Sequence, residues 1–183
     1  MIWIILGLAL WSTAHFMKRL APGVHGRLGN ASKPVVALAS VVAIVLMVVG
    51  YKSATFTPLW DLGNGAVYLN NLLMLFAVAL FGLGSSKSRL RGWLRHPMLT
   101  GAIVWAVAHL LVNGDGPSLV LFGGLAFWAL ASMRLINAAE PAPEPYTGGS
   151  VAGDIRLVVI TLVVYGVISM IHTYLGPSPF GGA

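Results

Sequence analysis

Residues 34–51 read PVVALASVVAIVLMVVGY, and no charged side chain interrupts them. An uncharged run of this length is what a helix needs to cross a bilayer. The run is continuous, without the alternation of a barrel strand. In hydrocarbon only helices and closed barrels satisfy the backbone, so the helix is the remaining solution. Lys33-Pro34 opens the run. Proline is accommodated there because a first-turn N–H has no helical partner to lose.

The rest of the chain agrees with this stretch. Of 183 residues, 57% are hydrophobic and 9% charged, with a mean hydropathy of +0.85. A soluble domain carries about 25% charged residues. Too few charges remain to clothe a water-facing surface, so lipid is the expected solvent and first partner. The length suits one domain. There is no cysteine, which removes disulfide frameworks, thiolate nucleophiles, cysteine-ligated zinc and iron–sulfur clusters. A net charge of +6 would suggest nucleic acid or anionic lipid in a soluble protein. Here it is read as loop charge that sets topology, and no nucleic acid partner is expected.

Working outward, five further apolar runs appear, at about 2–17, 66–83, 97–112, 117–136 and 155–175. The expected fold is all-α, a polytopic transmembrane bundle of about six spans. Several runs fall short of the roughly 20 residues of a usual span, so extension into the flanks or local thinning must compensate. Only Asn113-Gly114-Asp115-Gly116 separates the fourth and fifth runs, which predicts a tight antiparallel hairpin. The first run begins at Met1, with no basic segment before it and no small-x-small cleavage site after it. It reads as a retained span.

Charge supports the count of six. Lys18, Arg19, Arg27, Lys33, Lys87, Arg89, Arg91, Arg95, Arg134 and Arg156 all fall in or beside the loops of one side. The other side holds Lys52, Asp61 and Asp115. The basic side is cytoplasmic by the positive-inside rule. The expected location is therefore the inner membrane, with both termini periplasmic. Residues 137–154 are rich in Pro and Gly and read as a flexible cytoplasmic linker. It would divide a five-span unit, residues 1–136, from a final helix and short periplasmic tail at 155–183.

The ionisable groups within spans are histidines, and such groups are functional candidates by default. His15 lies in the first span, His96 opens the fourth, His109 lies within it, and His172 is near the end of the sixth. His25 falls in the first basic loop and reads as solvated. A neutral imidazole can ligate iron through one nitrogen while a hydrogen bond at the other fixes its tautomer. The plain alternative is a hydrogen bond to a neighbouring helix. With every acidic residue in a loop or at a span end, zinc or di-iron carboxylate centres are poorly supplied. Haem held by two imidazoles in an apolar pocket suits the supply better. No catalytic residue is assigned.

The string from Arg95-His96-Pro97-Met98-Leu99-Thr100-Gly101 through Trp105-Ala106-Val107-Ala108-His109-Leu110-Leu111-Val112-Asn113-Gly114-Asp115 resembles the NnrU family. So do Leu121-Phe122-Gly123 and Leu69-Asn70-Asn71-Leu72-Leu73-Met74. The resemblance spans nearly the whole chain. It implies a role in denitrification, at nitrite and nitric oxide reduction. The family is similar in turn to plant-type zeta-carotene isomerase, a membrane enzyme that uses haem b. That relative's two proposed haem-ligating histidines fall on His15 and His109. The resemblance therefore implies haem b, with those two as metal ligands. The relative also has a cysteine three residues before its second histidine, where this chain has Ala106, so a ligand switch and isomerase activity are not expected.

Depth within the membrane sorts the same histidines differently. His15 lies about two turns to the cytoplasmic side of its span's middle, and His109 about one turn to the outer side. At 1.5 Å per residue the offset is roughly 15 Å. By depth His15 pairs with His96, and His109 with His172. All four stay as candidate cofactor ligands.

Arg95-His96-Pro97-x-x-x-Gly101 is also similar to a motif of isoprenylcysteine-type membrane methyltransferases, but the acidic, arginine-bearing cofactor segment those enzymes need is missing after the fifth span. The simple reading is a span-start motif, Arg at the headgroups and Pro in the first turn. The functional expectation is a haem-b protein of nitrogen-oxide respiration, acting in electron transfer or redox sensing with other membrane or redox proteins. Its rivals are a non-catalytic subunit or assembly factor of a larger complex, and an isomerase or methyltransferase for a lipid-soluble substrate.

Overall fold

In the computed structural model, residues 1–176 and 178–180 are described. The chain is all-α, as expected. Its helices are α1 (Ile2–Leu20), α2 (Pro22–Leu28), α3 (Ser32–Ser53), α4 (Asn64–Leu83), α5 (Pro97–Val112), α6 (Gly116–Ala139) and α7 (Val151–Leu175). Short 3-10 turns precede α3 at Gly29–Ala31 and α5 at Arg89–Trp93. Each of the six apolar runs forms one helix, and most helices run on into their flanks. Among the described residues four helical stretches are long and apolar enough to cross a membrane: Pro22–Ser53, Asn64–Leu83, Gly116–Ala139 and Val151–Leu175. The protein is a multi-pass membrane protein. Helix α5 is apolar but has only 16 residues, and α1 ends on Lys18 and Arg19. Those two cations suit the negative end of a helix dipole.

The helices divide into two compact units. The first comprises Met1–Trp60 and Gly114–Ala139, hence α1, α2, α3 and α6. The second comprises Asp61–Asn113 and Glu140–Ala183, hence α4, α5 and α7.

In the first unit α1 packs on α3 and α6. Small residues allow the approach. A Cβ placed on Gly50 would lie 2.6 Å from the Ile4 backbone nitrogen, and one on Gly7 would lie 2.8 Å from the Ala43 carbonyl oxygen. Ile4, Ala43 and Met47 are buried along this seam. The segment after α3 is tied to the start of α6. Gly116 N donates to the Thr57 carbonyl at 2.9 Å, and Leu59 N donates to the Gly114 carbonyl at 2.7 Å. Gly114 is required here because a Cβ would collide with the Trp60 carbonyl.

In the second unit α4 packs on α5 and α7. Gly101 permits the first of these contacts, since its Cβ would meet the Ala77 carbonyl at 3.1 Å. The Arg89 guanidinium pairs with Asp154 at 2.6 Å, and Ser88 Oγ donates to the same carboxylate at 2.7 Å. Residues 141–150 form no helix or strand. They are nonetheless held. Arg95 donates to the Glu140 and Pro141 carbonyls, the Arg91 guanidinium lies 4.4 Å from the Tyr146 ring centroid, and Ser150 N donates to the Lys87 carbonyl.

Helices α5 and α6 follow one another across the short segment 113–115. Helix α5 finds its partner in α4, and α6 finds its partners in α1 and α3. The turn between them is where the chain passes from one unit to the other.

Candidate functional site

Three of the candidate histidines share one local geometry. Nδ1 of His15 lies 2.8 Å from the Trp11 carbonyl, that of His109 lies 2.9 Å from the Trp105 carbonyl, and that of His172 lies 3.1 Å from the Ile168 carbonyl. Each is a bond one helical turn back. A carbonyl can only accept, so the proton in each ring sits on Nδ1. The lone pair is left on Nε2, the nitrogen that ligates a metal when the other is fixed in this way.

His109 and His172 come together within the second unit. Their ring centroids are 6.4 Å apart, with the planes inclined by 55°. Trp105 lies against His109, at 4.9 Å between centroids. His109 is half-buried and His172 exposed at the end of α7. The depth reckoning from sequence matched these two by their level in the membrane.

His15 belongs to the first unit and is enclosed by two indoles. The Trp11 centroid is 4.2 Å away and that of Trp128, on α6, is 5.2 Å away in a T-shaped arrangement. The Trp11 and Trp128 indole nitrogens are both buried without an acceptor. His15 and His109, the ligand pair implied by resemblance, thus stand in different units. His96 precedes α5, and its carbonyl accepts from both the backbone nitrogen and the hydroxyl of Thr100 at 2.9 Å. His25 lies half-buried on the short helix α2, where a solvated loop was expected.

Two imidazoles are the donor set that an axial haem pair requires. Among the described residues no group of three or more His, Cys, Asp or Glu is gathered to hold a bare metal ion. His109 and His172 could supply such a donor set, each ring having the tautomer that leaves Nε2 as the donor atom. These residues fit the group.

The family model described as NnrU protein matches residues 3–179. The chain belongs to the NnrU family. No curated protein and no solved structure matches it.

The residues that carried the NnrU resemblance have visible structural duties. Pro97 sits in the first turn of α5, and Arg95 reaches the linker carbonyls at 2.9 and 3.0 Å. Gly101 is the close approach to α4 already described. Asn113 closes α5 by donating from Nδ2 to the His109 carbonyl at 2.8 Å. Asp115 caps α6: its Oδ1 accepts from Ser118 N at 2.8 Å and its Oδ2 accepts from Ser118 Oγ at 2.7 Å. With its proton committed to Asp115, the Ser118 hydroxyl accepts from Tyr51 OH at 2.8 Å.

Sequence reasoning missed this buried chain of Tyr51, Ser118 and Asp115. The signal was present in Asp115-Gly116-Pro117-Ser118, an acidic cap followed by proline in the first turn. Asn70 was also passed over. It is 7% exposed, its Nδ2 donates to Asn71 Oδ1 at 3.2 Å, and its own Oδ1 is buried without a partner among the described residues. An asparagine doublet inside an apolar run was the available sign.

Proposed function

We propose that this NnrU protein crosses the inner membrane six times, with its basic loops cytoplasmic, and binds haem b through His109 and His172. The reading is carried by one observation: two imidazoles of one unit, each with Nδ1–H bound to the preceding turn, lie 6.4 Å apart. The bound haem would supply one-electron exchange at its iron. The protein's own residues do the rest. The Trp105 and Ile168 carbonyls hold the two rings in the tautomer that offers Nε2 and oppose their rotation. The apolar helices around them keep the surroundings at low dielectric, which bears on the potential. His15, in its indole cage, is the further candidate ligand.

The role that suits such a centre in an NnrU protein is electron transfer or redox sensing for nitrite and nitric oxide reduction. Catalysis of isomerisation is disfavoured, because the position of the relative's cysteine is Ala106, fully buried with no ligating atom. The test is the absorption spectrum of protein purified after haem-replete expression. A Soret band that shifts on dithionite reduction is expected. A colourless preparation overturns the reading.

A further inference from the structure

We propose that Asp154 is a positioning residue for His172: by fixing the first turn of α7 it holds His172, near the far end of that helix, against His109. The two side chains share one face of α7. His172 follows Asp154 by 18 residues, which is five turns of 3.6, so they lie at one azimuth and about 27 Å apart along the axis. A continuous helix carries the rotation and tilt set at one end to the other.

The firm attachments of α7 gather at its first turns. Asp154 Oδ1 accepts from Ser88 Oγ at 2.7 Å and from Arg89 N at 2.9 Å, while Oδ2 accepts from Arg89 Nε. Ser88 is fully buried, and its hydroxyl accepts in turn from Leu90 N at 3.1 Å. A Cβ on Gly153 would collide with the Lys87 carbonyl, and one on Gly149 with the Arg89 backbone. The two segments therefore meet backbone to backbone. Leu157, one turn on, is buried beside Gly82 of α4.

Contacts thin towards the other end. Beyond Leu157 the buried residues of α7 are Thr161 and Ser169, and Gly166 has nothing within 4 Å of its would-be Cβ. Asn71 Nδ2 donates to the Pro179 carbonyl at 2.9 Å, which holds the tail after the helix. The main packing partners of α7 are α4 and the Arg89–Trp93 turn, whereas His109 stands on α5. The approach of the two imidazoles is thus inherited from the seating of α7. A tilt of about 10° at Asp154 would carry His172 roughly 5 Å, most of the 6.4 Å between the ring centroids. The consequence for a bound metal rests on the haem reading; the placement itself does not.

The chain has no cysteine of its own, so nitroxides on Val112→Cys and Tyr174→Cys report on α5 against α7 alone. Both positions are exposed, one at the end of each histidine-bearing helix. Double electron–electron resonance of the full chain in nanodiscs should give one narrow distance distribution. Asp154→Ala and Ser88→Ala should each widen it by about 5 Å, the displacement of that tilt. Glu144→Gln, an exposed linker carboxylate, should leave it unchanged. Circular dichroism checks helix content, and Asp154→Asn, which keeps the shape, replaces Asp154→Ala if that variant does not fold. Haem-loaded Asp154→Ala should also lose low-spin absorption. An unchanged distribution in the folded variants overturns the proposal even where the melting temperature falls, because the contact then stabilises without positioning. If the distribution widens and the low-spin signal persists, or if the wild type takes up no haem, the placement stands and the haem reading fails.

Discussion

The imidazoles of His109 and His172 stand 6.4 Å apart, each anchored by its Nδ1 to a carbonyl of its own helix. Helix α5 supplies one and α7 the other, and both belong to the second unit. This relationship makes the haem reading divisible into separate expectations for each histidine.

His109→Ala and His172→Ala should each abolish the low-spin, six-coordinate spectrum of bound haem, leaving a high-spin species or none. His15→Ala should keep it. Magnetic circular dichroism of the three variants decides the matter. Loss of the low-spin signal in His15→Ala, with retention in His172→Ala, would reassign the pair to His15 and His109.

Gly50→Ala should destabilise the protein by about 1–3 kcal/mol, the usual cost of overpacking a tight contact. The new methyl would meet the Ile4 backbone nitrogen at 2.6 Å, and backbone cannot rotate aside. Gly166, within α7, has nothing within 4 Å of its would-be Cβ. Gly166→Ala should therefore leave the melting temperature in detergent unchanged or raise it. Differential scanning calorimetry of the two variants makes the comparison.

The chain from Tyr51 through Ser118 to Asp115 should weaken in steps. Tyr51→Phe removes one hydrogen bond, about 0.5–1.5 kcal/mol. Asp115→Ala removes two and leaves Ser118 N without its cap, which should cost about 1–3 kcal/mol. Chemical denaturation in mixed micelles, followed by tryptophan fluorescence, gives the order. Equal effects would show that the cap does not govern this end of α6.

Arg89→Ala should have little effect, because its side chain is 62% exposed and such pairs contribute little. Asp154→Ala should lower the melting temperature more. That carboxylate also accepts from Ser88 Oγ and from the Arg89 backbone nitrogen, and neither bond depends on the guanidinium. Faster proteolytic cleavage within residues 140–150 of Asp154→Ala than of Arg89→Ala is the accompanying sign.

The helices were legible because their signal is local. The run at 97–112 coincides with α5, and the run at 34–51 lies within α3, two residues short at each end. Helix α2 was not legible, since its seven residues include proline and two glycines, which read as loop punctuation. Which helix packs on which was also hidden. Gly7, Gly50 and Gly101 make close helix approaches, but of these only Gly101 stands in a motif, and nothing in the sequence separates Gly7 and Gly50 from the other glycines among the 22. The candidate site divides along the same line. Depth along the helices matched His109 with His172 in level, because depth follows from counting residues. Depth could not find Trp128 beside His15, because that contact depends on which helices become neighbours.

The division of the chain has a consequence for how the protein is made. The first unit takes α1 and α3 from the beginning of the chain but draws α6 from beyond α4 and α5. During synthesis the α1–α3 pair therefore emerges well before its third member, and the face that receives α6 stays uncovered while α4 and α5 enter the membrane. A gene cut after residue 113 yields no fragment containing a whole unit, whereas one cut after residue 60 leaves the second unit whole, so complementation by split halves should fail at the first position and be better tolerated at the second.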